Sequence, residues 1–154
     1  MKKLFIALLI VVFCAIPVLA KDAFNGTVIE STKITDDAVP ATSSAIDISQ
    51  YDKIAFFVTA DETDSGGNVT VVITIQISYD NSVWFAAHFY DYTNPATLQT
   101  SETLCAGVNT DADYYCWFNR HLNVPYIRVI ATGAGTATGG DDEVTVIVNY
   151  SAQK

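Results

Sequence analysis

The residues Val69, Val71, Ile73, Ile75, Ile77 and Tyr79 alternate with Thr70, Val72, Thr74, Gln76 and Ser78. A period of two sustained over that length predicts a strand with its odd-numbered face in a core and its even-numbered face outside. It runs into Asp80-Asn81-Ser82, a turn sequence, and then into an aromatic strand opened by Val83-Trp84. Similar runs recur between turn signals: 26–35, 45–48, 53–60, 83–90, 102–106, 114–122, 126–132 and 143–150. No stretch holds a capped helical period. The pattern predicts an all-β chain, a single antiparallel β-sandwich of eight or nine strands, jelly-roll-like.

The first residues read differently. Lys2 and Lys3 precede an apolar run from Leu4 to Ile16, and Val18-Leu19-Ala20 has the small residues of a cleavage site. Residues 1–20 therefore read as a secretory signal, too short for a comfortable membrane span and followed by polar sequence. The rest divides into an N-terminal strand and flexible connection, 21–44, and a sandwich domain, 45–154. The expected location is extracellular or at a cell surface, with no membrane span in the mature form.

Charge narrows the partners. The chain of 154 residues carries 17 acidic against 8 basic side chains, a formal net charge of −9. Loss of Lys2 and Lys3 with the signal makes it more negative still. Such a surface repels nucleic acid and anionic lipid, and neither is an expected partner.

Two cysteines follow the signal, Cys105 and Cys116. A single pair in an exported chain predicts a disulfide closing a short hairpin, worth about 3 kcal/mol in the chain-entropy model. Two free thiols or a metal pair is the alternative, with no CxxC spacing or histidine cluster to complete a zinc site.

Two segments together, TIQISYDNSVW and VPYIRVIATG, resemble jelly-roll modules of the discoidin type, which pair a tight polar turn before a tryptophan with a late arginine-containing strand. Similar pairs occur in small β-sandwich proteins of phage virions and bacterial surfaces. The resemblance spans about half of the sequence after the signal. It implies a jelly roll in which Asp80-Asn81 makes the turn, Trp84 fills the core and Arg128 lies in a late strand. The turn has no glycine, and the N-terminal half departs from the discoidin pattern.

Candidate chemistry is sparse. There is no Gly-x-Ser-x-Gly elbow and no His-Glu-x-x-His, and the histidines after the signal are His88, on a strand face with Trp84, Ala86 and Tyr90, and His121, near a strand end. The sequence therefore predicts a protein that is not an enzyme, with no cofactor except a structural calcium ion. For calcium, the acidic loops offer Asp61, Asp64, Asp141 and Asp142. Solvated loops are the plain alternative.

Aromatic residues crowd the second half. On the strands around 83–90 and 114–118 they occupy both alternating faces, so one core cannot hold them all. Tyr90, Tyr92, Tyr114 and Trp117 are the expected contacts to a subunit or ligand. Two functions follow. One is a self-assembling filament or surface-layer subunit, a homopolymer in which the strand bearing Phe24, Val28 and Ile29 pairs within its own subunit or is exchanged with a neighbour. The other is a carbohydrate-binding, lectin-like module whose rings stack on a glycan.

Overall fold

The computed structural model describes residues 23–35, 40–63, 68–91, 95–105, 111–119, 124–136 and 143–154. Among them it is all β. The strands are β1 (Ala23–Ile34), β2 (Ala41–Thr42), β3 (Ile46–Asp47), β4 (Lys53–Thr63), β5 (Asn68–Ser78) and β6 (Phe85–Ala86). They continue with β7 (Phe89–Asp91), β8 (Leu98–Gln99), β9 (Ser101–Leu104), β10 (Ala112–Asn119), β11 (Tyr126–Thr136) and β12 (Glu143–Gln153).

They form two antiparallel sheets packed face to face. The first runs β1-β12-β4-β10-β7-β8, and the second β2-β11-β5-β6, with β3 also on β11 and β9 also on β5. Taken as β2 with β3 and β6 with β9, the main positions lie in the strand order of a jelly roll, β1-β12-β4-β10 facing β2-β11-β5-β6. The short strands raise the count to twelve among the described residues, where the sequence pattern predicts eight or nine.

Period-two alternation drives the packing. On β4, Ile54, Phe56, Val58 and Ala60 point inward, and on β12 Val144, Val146, Val148, Tyr150 and Ala152 do the same. From the second sheet, Val69, Val71, Ile73 and Ile75 of β5 and Ile127, Val129 and Ala131 of β11 close the core. Phe56 and Phe89 are its largest fully buried side chains. Each β-branched residue suits the pleat and removes its apolar surface from water, the main stabilising term.

The alternation on β5 fails at its end. Ser78 is buried, whereas Tyr79 is 77% exposed and not on the core side as its position in the period predicts. Ser78 Oγ turns to Asp80 Oδ1 at 3.1 Å, and the strand ends there, so Tyr79 already belongs to the turn.

β1 is an integral edge strand. It pairs with β12 over nine residue pairs from Ala23↔Gln153 to Ile34↔Val144, with irregularities after Thr27 and Ile29. Ile29 and Ile34 lie in the core. β1 supplies one edge of the first sheet and β2 pairs with β11, so these strands on the N-terminal side of residue 44 take part in the sandwich. In the single chain described, β1 pairs with β12 of its own subunit.

Candidate assembly face

Part of the aromatic excess lies on the outer surface of the first sheet. On β10, Tyr114, Cys116 and Phe118 point into the core, leaving Tyr115 and Trp117 on the outside. The register then assembles the surface in rows. Phe57 of β4 lies opposite Tyr115, Ala55 opposite Trp117, and Trp117 opposite Tyr90 of β7. Leu98 of β8 extends the second row beyond Tyr90, and Ser151 and Asn149 of β12 extend the two rows on the other side.

The rings make one continuous ladder. Phe57 and Tyr115 stack with centroids 4.9 Å apart, Tyr115 and Trp117 tilt at 5.8 Å, and Trp117 and Tyr90 stack at 5.7 Å. Cross-strand aromatic pairs of this kind contribute roughly 0.2–1 kcal/mol each, so they hold the surface in one shape without removing it from water. Phe57 remains 47% exposed. Beside it, the small Ala55 and Ser151 leave a hollow of about 520 Å³, bounded also by Lys53, Trp117 and Gln153.

Charge is confined to the ends of this face. Lys53 stands at one end of β4, and Asp61, with Asp113 of β10, at the other. Glu143 of β12 lies at the acidic end, in an ion pair with Lys33. The two rows between, containing Asn149, Phe57 and Tyr115, then Ser151, Ala55, Trp117, Tyr90 and Leu98, are uncharged.

The structure thus brings two of the expected contact residues together, Tyr90 and Trp117, and adds Phe57, Tyr115 and Leu98. Phe57 was legible as an outward position in the alternation of KIAFFVTA, but nothing local links it to a ring on β10. Tyr114 is a correction. It is buried, with no hydrogen-bond partner for its phenol, whose pKa burial pushes far up. Tyr92 lies outside the described residues.

Trp84 is a second correction. It does not fill the core, but stands half-buried with Arg128 stacked over its ring at 4.2 Å. Arg128 Nε donates to Gln76 Oε1 at 2.9 Å, so these three groups close on one another over the outer face of the second sheet. The chain reaches Trp84 from the turn outside the sandwich, and Ala87 and Phe89 fill the interior in its place. His88 is exposed, and His121 falls outside the described residues.

The predicted disulfide is the third. Cys105 and Cys116 are free, buried thiols. β9, which ends just before Cys105, and β10, which carries Cys116, are not a hairpin: β9 belongs to the second sheet beside β5, and β10 to the first. Cys105 Sγ donates to the Ala60 carbonyl at 3.8 Å, and Ala60 lies opposite Ala112. Cys116 is four residues further along β10, about 13 Å at the rise of a strand, past the ~7 Å that a disulfide spans between Cα atoms.

Burial and the nearby Glu62, Asp111 and Asp61 push the Cys105 thiol up to about 11. Burial, with Asp91 and Glu102, pushes Cys116 up to about 12. Neither is a nucleophile at neutral pH.

Of the expected calcium ligands, Asp61 is exposed, and Asp64, Asp141 and Asp142 lie outside the described residues. Among the described residues no three His, Cys, Asp or Glu side chains gather where they could hold a metal. A hollow of about 750 Å³ lies elsewhere, between β1 and residues 44–51. Phe24, Tyr51 and Tyr150 form its ring wall, with Phe24 5.6 Å from Tyr150 and 6.2 Å from Tyr51. Glu30, Asp47 and Gln50 supply polar groups.

No known protein family matches the chain. No curated protein matches it either. Among solved structures, the crystal structure of the SPBc2 prophage-derived protein YomS is similar, with a TM-score of 0.61 and 13% identity, covering 90% of this chain and 99% of that one. At that identity the likeness is one of fold: this chain has the β-rich sandwich of a phage-derived protein.

Proposed function

We propose that the chain is an exported, non-catalytic structural subunit that assembles with copies of itself through the aromatic face of its first sheet. The observation that carries this reading is the uncharged ladder of Phe57, Tyr115, Trp117 and Tyr90, held rigid by its own stacking in a molecule of net charge −9. Like-charged copies repel wherever their acidic loops meet, and this face is where they can approach. Rings already stacked on one another offer edges and flanks, which suit burial against protein better than they suit the flat face of a sugar.

A filament or lattice needs a second surface. The outer face of β5 is uncharged from Thr70 through Val72 to Thr74, short of Gln76 under Arg128, and that stretch supports the role. Strand exchange through β1 would first have to undo its pairing with β12, so packing of faces is the favoured mode of assembly.

Carbohydrate binding is the second reading, favoured by one place only: the 750 Å³ hollow, where the ring wall of Phe24, Tyr51 and Tyr150 stands beside Glu30, Asp47 and Gln50. The test is sedimentation velocity and electron microscopy of the mature protein beside the Tyr115→Ser/Trp117→Ser variant, with a glycan array on the same sample. Assemblies formed by the wild type and lost in the variant are expected. A wild type that stays monomeric and binds glycans would replace the first reading with the second.

A further inference from the structure

We propose that two copies join face to face with their strands antiparallel, about a two-fold axis lying between the sheets and running across the strands, midway between the Ala55 and Phe57 rows. This rests on the reading of the aromatic face as an assembly surface and names the arrangement that surface takes.

Shape is the first reason. Ala55 and Phe57 are two residues apart on one face of β4, so one is a hollow and the next a knob. An axis between their rows exchanges them. Phe57 of each copy then enters the hollow over Ala55 and Ser151 of the other, and the surface is complementary to itself, as an isologous interface requires. Trp117 and Tyr115 exchange in the same way, because they occupy the Ala55 and Phe57 rows on β10.

Charge decides the direction. The same operation carries the row of Lys53 onto the row of Thr59, where Asp113 is the neighbour on β10. Each Lys53 then meets the partner's acidic end, twice per dimer. A two-fold axis along the strands would instead keep each row against the same row of the partner, lysine end to lysine end and acidic end to acidic end, and like charges across an interface oppose docking. Only the antiparallel arrangement satisfies both the knob and the charges.

Sedimentation equilibrium of the wild type, Ala55→Phe, Lys53→Asp, Asp113→Lys and the Lys53→Asp/Asp113→Lys double variant tests this. Filling the hollow, or placing aspartate opposite aspartate, is expected to weaken association about tenfold or more. The double variant restores opposite charges and is expected to recover most of that loss. Lys53 and Asp113 are exposed, so the charge variants keep the test open even if Ala55→Phe does not fold. Association of all four variants at wild-type strength, with Tyr115→Ser/Trp117→Ser still monomeric, would overturn this arrangement and leave the assembly reading standing. A wild type that never associates would overturn both.

Discussion

Asp80 shows how one side chain can set a turn. Its Oδ1 accepts the backbone N–H groups of Ser82 and Val83, each at 2.9 Å, and the hydroxyl of Ser78. Asn81 then takes a positive φ of 59°, a conformation asparagine tolerates, which explains how the turn forms without the glycine of the discoidin-type pattern. The N–H groups of Val83 and Ser82 hold the Asp80 carboxyl well below its ordinary value of 3.8. A depressed carboxylate stabilises the fold above its unfolded pKa and loses that contribution as pH falls through the folded one. Asp80→Ala is therefore expected to melt at a lower temperature than wild type at neutral pH, with the gap closing as pH drops below 3.8. A gap that does not change with pH would count against this account.

The cysteines carry a sharper contrast. Both are buried and protonated at neutral pH, so Ellman's reagent is expected to label neither in the folded protein and both after guanidinium unfolding without reductant. A disulfide would leave both silent in guanidinium. The sequence spacing of Cys105 and Cys116 suggested a hairpin because neighbours in sequence usually pair. Here the chain leaves β9 through a positive φ of 57° at Cys105 and crosses to the other sheet. That crossing is a property of the whole sandwich and has no local signature.

At the scale of elements, most of the long strands were legible. β4, β5, β11 and β12 bury one face and expose the other, and that is the condition under which period two survives in sequence. Two places were less so. The aromatic run at 83–90 is split into β6 and β7, which serve different sheets, so a single continuous strand there was the wrong expectation. β11 continues through Gly133 to Thr136, where glycine and alanine read as the start of a loop. The glycine is needed because a Cβ at position 133 would lie 2.0 Å from the carbonyl oxygen of Thr35, where the chain leaves β1 and passes over β11. Backbone cannot give way as a side chain tip can. Gly133→Ala is expected to cost about 3 kcal/mol by chemical denaturation, through overpacking. A cost under about 1 kcal/mol would mean that this crossing has slack.

For the whole molecule, the sandwich class was written in the alternation, while the aromatic face was only half written. The sequence shows that rings occupy both faces of β10, and so that some must lie outside. It does not show that Phe57, Trp117 and Tyr90 meet, because they come from β4, β10 and β7 and join only through register. Nor does it separate Tyr114 from Tyr115 before the inward face of β10 is known.

The molecule that results is acidic at its loops, uncharged across one rigid sheet face, and cationic at one end of that face through Lys53. On the reading proposed above, the uncharged face is covered in solution by a second copy. The direct test is sedimentation equilibrium of the unmodified protein without residues 1–20, across a hundredfold range of concentration at physiological salt. The expected mass rises with concentration from the monomer to the dimer or beyond. A monomer mass at every concentration would contradict it.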